Sequence, residues 1–585
     1  MNQLRDCFKP YKKYLIFAVL FMLIDVIAEI MQPLLMARIV GKGIESGNVG
    51  YILSIGFLMI LLALISIAGG IGNSKYAAKT GVGFATQLRY ILFKKVQSFS
   101  FKNIDTFSTA SLSTRLTNDV NLLQNTVVTG MRILIRAPLM LIFSIIMAIR
   151  LSISLSVVLA VIVPILLIFV IGMVRHAMPM FQLMQNRVDI LNRNVQENVT
   201  NVRVVKSFVR QDYEKEKFRS ANMDLMNTSL RAMNLVIISM PMMMLLMNTS
   251  IVSIVWIGGK RIINGYMDVA TMSAFINYIM MILMSLIMIS MMFILFTRAS
   301  ASYKRIREVL DTEVDLTDYD GKGLTDDLKE EPNIKMKGSV IFDHVSFSYD
   351  VHSSGEEILS DINFSAEPGE VVAIIGSTGA GKSSFVQLIP RLYDVTAGRV
   401  LIDGKDVREY DLRTLRSQIG MVLQKNTLFS GTIRDNLKWG DPNATEDEVI
   451  LAAQNAQAHE FIMGFPNGYD TWIEQGGVNV SGGQKQRLCI ARAMLKKPAV
   501  LILDDSTSAV DTATEAKIRQ SFRESLKGTT TFLIAQRISS VQNADKIIVL
   551  DDGRIVDVGT HEQLMTSCQA YQEIYESQTG KEATA

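Results

Sequence analysis

Residues 371–384 read VVAIIGSTGAGKSS: an apolar run, a glycine-rich turn, then a lysine followed by two serines. The first five residues have the length and type of a strand buried on both faces. Residues 376–383 fit the spacing G-x-x-x-x-G-K-[ST], and their place between a strand and a helix start makes the match specific. In such a loop the backbone N–H groups of Gly376, Ser377, Thr378, Gly379 and Gly381 cradle phosphates, together with the helix N-terminus at Lys382, Ser383 and Ser384. Lys382 is placed to reach the β- and γ-phosphates, and the Ser383 hydroxyl to bind Mg²⁺.

A second buried strand, 500-VLILD-504, runs into two adjacent carboxylates. Asp504 is placed to hold the Mg²⁺ shell, and Asp505 stands next to it, where a base would orient an attacking water. The segments around these stretches form a compact α/β pattern. At 585 residues the chain is too long for that domain alone. Its net charge of +3 gives no footing for a nucleic-acid partner. Cys7, Cys489 and Cys568 lie far apart without metal-ligand spacing and read as free thiols.

Residues 14–300 are dominated by Ile, Leu, Met, Val and Ala. Six stretches there are apolar over the roughly 20 residues a spanning helix needs: 14–40, 51–70, 133–149, 153–173, 234–257 and 271–297. The first is too long for a signal-peptide core and lacks a small-residue cleavage site. The stretches 71–132 and 174–233 keep helical periodicity but carry charge, which predicts helices continuing far beyond the bilayer. Basic residues gather before the first span (Arg5, Lys9, Lys12, Lys13) and in these two long stretches (Arg89, Lys94, Lys95, Arg187, Lys215). That bias predicts cytoplasmic termini, cytoplasmic long loops and a cytoplasmic C-terminal half. The expected order is an α-helical membrane domain at 1–310, an acidic linker at 311–337, an α/β P-loop nucleotide-binding domain at 338–575, and a polar tail at 576–585.

Asp25 and Glu29 sit inside the first span, one helical turn apart. Charges at that depth face a polar cavity or a partner, so two readings stand: a cavity site attracting cationic substrates, or acids paired with a neighbouring helix or held protonated. Residues 231–300 also hold 14 of the chain's 33 methionines. Met280, Met284, Met288 and Met291 share one stripe at helical spacing. Flexible thioethers suit a cavity wall that accepts many shapes; helix packing is the plainer reading.

Added to the phosphate loop and the paired aspartates, 480-VSGGQKQR-487, 345-VSFSY-349, 421-MVLQ-424 and 508-SAVD-511 complete a pattern that resembles the ATP-binding cassette (ABC) transporters. The resemblance is to the exporter type, in which one membrane domain and one nucleotide-binding domain share a chain. It implies that Tyr349 stacks on adenine and that Gln424 senses the γ-phosphate and Mg²⁺. It implies that Ser481, Gly482, Gly483 and Gln484 cap the γ-phosphate of ATP bound to the opposite subunit. Residues 508–511 would cross the dimer interface, and short coupling helices are expected at 103–110 and 209–218.

Three positions depart from the family. Asp505 stands where it usually has Glu, Gln536 in 534-IAQRIS-539 replaces its switch histidine, and 473-IEQGG-477 replaces a G-E-R-G-like segment. The Asp carboxylate falls short by one methylene, and misplacement of that order can cost roughly 10²-fold in rate. A glutamine hydrogen-bonds a phosphate but carries no imidazolium charge. The expectation is a chain that binds ATP and Mg²⁺ but hydrolyses poorly at its own site. It resembles the degenerate-site subunit of heterodimeric bacterial multidrug exporters: a multi-pass protein of the bacterial cell membrane, embedded in lipid, moving small amphipathic substrates. A homodimeric drug or lipid exporter and an ATP-gated regulatory membrane module remain as alternatives.

Overall fold

The computed structural model describes residues 2–316, 335–349, 357–505 and 510–582. It forms two compact units, residues 1–95 with 110–311 and residues 96–109 with 312–585. Most of the linker expected at 311–337 lies outside the described residues.

Up to residue 311 the chain is helical: α1 (Asn2–Phe8), α2 (Lys12–Arg38), α3 (Val49–Gln97), α4 (Phe101–Thr106), α5 (Thr109–Thr114), α6 (Val120–Leu151), α7 (Ile153–Thr200), α8 (Val202–Ser207), α9 (Gln211–Ile263) and α10 (Val269–Asp311). Six stretches are long and apolar enough to cross a membrane: Arg5–Ile44, Val49–Gln97, Thr109–Leu151, Ile153–Thr200, Pro241–Ile263 and Val269–Ile289. α3 and α7, at 49 and 48 residues, each run roughly 70 Å at ~1.5 Å per residue. That is over twice a hydrocarbon core of about 30 Å, as the charged stretches require. Met22, Val26 and Ile30 of α2 pack with Met140 of α6, Leu155 of α7, Ile254 of α9 and Phe275, Tyr278 and Ile282 of α10. Pro33 lies inside α2, where a ring without an N–H removes one bond from the helical ladder. Nearby, the buried Tyr278 hydroxyl donates to the Ile30 carbonyl at 2.8 Å.

Buried charge in this unit is paired. Asp25 is only 3% exposed; it accepts from Arg136 of α6 at 3.0 Å and from the Ser66 hydroxyl of α3 at 2.5 Å. The other arm of the same guanidinium holds Glu29. Asp25 is therefore no open cavity carboxylate: the partner the sequence could not name lies 111 residues away. Elsewhere in the unit the π-helical turn Arg115–Asp119, which leads into α6, is fastened to α10. The buried Asp119 takes Arg305 Nε at 2.8 Å and the Ser302 hydroxyl at 2.7 Å, while Arg115 donates to the Arg305 carbonyl at 2.9 Å and pairs with Glu308.

In the second unit, β1 (Val340–Phe347), β2 (Leu359–Ala366), β4 (Ala397–Ile402) and β5 (Lys405–Asp406) make an antiparallel sheet in the order β2-β1-β4-β5. The main sheet uses β3 (Val371–Gly376), β6 (Ile419–Val422), β9 (Val500–Asp504), β10 (Thr530–Ile534), β11 (Lys546–Asp551) and β12 (Arg554–Gly559), ordered β12-β11-β3-β10-β9-β6. A two-stranded ribbon, β7 (Gly431–Thr432) with β8 (Trp472–Ile473), completes it. All main-sheet pairings are parallel except β11 with β12. Period-2 alternation sends Ala373, Leu501 and Leu533 into one core, and Val372, Ile502 and Phe532 into the other. A parallel sheet covered on both faces needs this doubly apolar pattern.

Two boundaries shift from the sequence expectation. Residues 96–109 pack with the nucleotide unit, because the Tyr393 hydroxyl donates to Asp105 at 2.8 Å and its ring meets Phe101. The segment read as a polar tail is helical to residue 582, in the helix Gln569–Glu582.

Replacing Arg136 by Met strands two carboxylates inside the membrane unit. Breaking a buried pair costs about 3 kcal/mol, so detergent-extracted folded yield and melting temperature should fall. Adding Asp25→Asn and Glu29→Gln should recover most of the loss; no recovery would mean that the arginine acts through packing alone.

Candidate nucleotide site

The carboxyl ends of β3, β9 and β10 converge because β10 lies between the other two, with Ile534 paired to both Ile374 and Asp504. Each strand delivers one piece of chemistry. β3 runs into the turn 376–381 and helix α11 (Lys382–Leu388), β9 ends in Asp504, and Gln536 lies just past β10. Ligands of parallel α/β sheets bind at such strand ends.

The turn is shaped by glycine. At Gly381 φ is +91°, and an added Cβ would lie 2.8 Å from the Ile358 carbonyl oxygen. The Lys382 ammonium donates to the carbonyls of Gly376 and Ser377 at 2.9 and 2.6 Å, and burial lowers its pKa. Ser377 is bonded through its hydroxyl to Asp551 at 3.0 Å. Ser383 donates to Asp504 at 3.0 Å. Asp504 is 3% exposed, and burial pushes its carboxyl above the ordinary range. One hydroxyl beside one buried carboxylate is a hard-oxygen donor pair, which suits Mg²⁺ completed by phosphate and water. Ser383 and Asp504 would hold that ion, with Gln424 lining the same cavity.

Asp505 adopts φ +47°, a left-handed conformation that Asp tolerates better than most residues. Its Oδ2 accepts from Gln536 Nε2 at 3.0 Å, and Gln424 lines the same cavity. Burial still raises its pKa. The phosphate turn, Gln424, Asp504, Asp505 and Gln536 line one cavity of about 730 Å³, within the size range of ligand clefts.

Other expected site residues lie elsewhere. Tyr349 is not among the residues lining this cavity; its hydroxyl meets Ser384 Oγ at 2.9 Å and its ring stands edge-on to Tyr393. Among the described residues, Ser481, Gly482, Gly483 and Gln484 do not line the cavity either. They open the helix Gly482–Leu495, with Ser481 and Gln484 capping it reciprocally. Ser508 and Ala509 lie outside the described residues. The α4 segment of the 103–110 expectation packs in the nucleotide unit, whereas Phe208, Val209 and Tyr213 near the second expected segment are exposed in the first unit. Met284 and Met288 are exposed on α10, and the Met291 side chain lies outside the described residues. Sequence reasoning missed Ser577 and Gln578, which reach the cavity from the C-terminal helix.

The sequence matches the ABC transporter transmembrane region over residues 15–303 and the ABC transporter nucleotide-binding family over 359–508. It is 42% identical over 586 residues to the ABC transporter ATP-binding protein YfiB of Bacillus subtilis, covering all of both chains. The chain belongs to the ABC exporters. It is a half-transporter, with one membrane region and one nucleotide-binding domain. A putative multidrug export ATP-binding/permease protein of B. subtilis, YgaD, is 33% identical over 98% of both chains. An ATP-dependent lipid A-core flippase of Syntrophus aciditrophicus is 32% identical, over 89% of this chain and 85% of its own. The fold matches a bacterial Atm1-family ABC exporter solved with ATP bound, at a TM-score of 0.79 and 24% identity, covering 97% of this chain and 99% of that one. The exporter is thus an ATP-hydrolysing translocase, with six helices among the described residues long and apolar enough to cross a membrane.

Gly381→Ala places a methyl where both backbone conformation and the Ile358 carbonyl resist it. Strain at such a position costs on the order of 1–3 kcal/mol. The variant should keep its membrane unit but bind a fluorescent ATP analogue at least tenfold more weakly; unchanged affinity would contradict the assigned loop geometry.

Proposed function

We propose that this exporter is one half of a heterodimer that moves amphipathic compounds out of the bacterial cell. In this reading it holds ATP at its own weakly hydrolytic site and lends Ser481–Gln484 to its partner's competent site. The observation that carries the reading is the state of Asp505. Its side chain is one methylene shorter than glutamate, and the Gln536 amide holds one of its oxygens. A carboxylate so shortened and tethered stands back from the water that it would have to orient.

The separation of Ser481–Gln484 from the cavity supports a second chain, since the loop that would cap the γ-phosphate must come from elsewhere. Exposed Phe208, Val209 and Tyr213 offer that partner a coupling surface. ATP binding then requires the phosphate turn and Lys382 to hold the triphosphate. Ser383 and Asp504 would hold Mg²⁺, which neutralises phosphate charge. Gln536 would donate to the γ-phosphate, and Asp505 would position water at the wrong distance. The basic bias of the long stretches supports a cytoplasmic nucleotide domain. Export of drug-like compounds rests on the likeness to YgaD and on the methionines exposed on α10; the flippase relative supports lipid as a second substrate class.

Purified without a partner, the exporter should turn over ATP slowly. Asp505→Glu with Gln536→His should raise that rate by about 10- to 100-fold, measured as phosphate release from reconstituted protein. Brisk turnover by the unmodified chain, unmoved by the double substitution, would sink the proposal.

A further inference from the structure

The C-terminal helix Gln569–Glu582 docks through Tyr571, which is fully buried, with Ile574 and Tyr575 packed beside it. Positions 571, 574, 575 and 578 share one face of a helix. Gln578 therefore ends an otherwise aromatic and aliphatic stripe and points into the domain. There it makes two hydrogen bonds to the segment after β10. Its Nε2 donates to the Gln536 carbonyl at 2.8 Å, and its Oε1 accepts from the Ile538 N–H at 2.9 Å.

Gln536 lies beyond the end of β10, so its carbonyl has no ladder partner. Ile538 opens the short helix Ile538–Val541, whose first N–H groups have no acceptor within the helix. A primary amide donates and accepts from one group and can satisfy both; a carboxylate can only accept, an ammonium only donate. Gln578 also lines the nucleotide cavity. The next bonds in the chain run from the Gln536 side chain to Asp505 Oδ2 at 3.0 Å, and from the Asp505 N–H to the Ile534 carbonyl at 3.1 Å.

We infer that Gln578 is a positioning residue for ATP turnover: it splints the backbone on both sides of Gln536 and so sets where residues 536 and 505 meet the γ-phosphate. The C-terminal helix is then part of the nucleotide site. The inference rests on the assignment of Gln536 as the switch position.

The test uses the full-length exporter in nanodiscs. Gln578→Ala and Gln578→Glu are each placed in the unmodified chain and in the Asp505→Glu/Gln536→His background. Gln572→Ala serves as control, because Gln572 fastens the same helix to the Met565 carbonyl. In whichever background turnover is measurable, Gln578→Ala should lower kcat about tenfold while KM for ATP stays within about twofold. Gln578→Glu should fall at least as far, since it keeps one bond and sets a carboxylate against the Gln536 carbonyl. Gln572→Ala should lower the melting temperature without lowering kcat. Unchanged kcat in Gln578→Ala, or an equal loss of kcat in Gln572→Ala, overturns the inference. If the background substitutions fail to raise turnover while Gln578→Ala still lowers it in the unmodified chain, the weak-site reading falls and the positioning role stands.

Discussion

The nucleotide site depends on the position of one strand. β10 is hydrogen-bonded to β3 on one side and β9 on the other, and its register sets Ile534 against both Ile374 and Asp504. A parallel ladder fixes where each strand ends, so the phosphate turn, the paired aspartates and Gln536 arrive at one edge without long-range steering of loops. A slip of one residue would exchange the two faces of β10, sending Phe532 and Ile534 into the core that Leu533 now fills. The cost of misplacing three large apolar residues holds the catalytic edge in register.

The membrane unit solves a different problem. Its interior carries charge that a bilayer penalises, and it meets that penalty by sharing guanidinium groups. Arg136 serves Asp25 and Glu29 together within the spans; beyond the sixth span, Arg305 grips Asp119 with two nitrogens while Ser302 supplies a third donor. Each of these contacts joins different helices. They therefore define which helix faces meet, where apolar packing alone would allow rotation about each axis.

Legibility tracked sequence distance. The phosphate turn, the strand before it and the spanning helices are local patterns, and the structure has them where the residues place them. The Ser383–Asp504 contact was legible because both lie in motifs whose roles are fixed by chemistry. Arg136 was not, since nothing near residue 136 says which acid it meets. The C-terminal segment escaped notice for another reason. Polar Gln572, Gln578 and Thr579 mask a short stripe of Tyr571, Ile574 and Tyr575, and composition read the end of that stripe as a tail. Tyr349 sits close to the phosphate helix, its hydroxyl engaging Ser384 and its ring edge-on to Tyr393.

Two amides in series stand behind the carboxylate that would aim water. Gln536 bonds Asp505 directly, and Gln578 braces Gln536 from behind. An amide neither gains nor loses a proton in the physiological range, whereas an imidazole at the switch position would titrate there. The arrangement gives up the positive charge that would stabilise a departing phosphate and keeps hydrogen bonds that do not vary with pH. On the proposed reading, such a site would hold a triphosphate in one geometry through many cycles. That is the property a nucleotide domain needs when its partner does the hydrolysis and it must keep the two chains in contact.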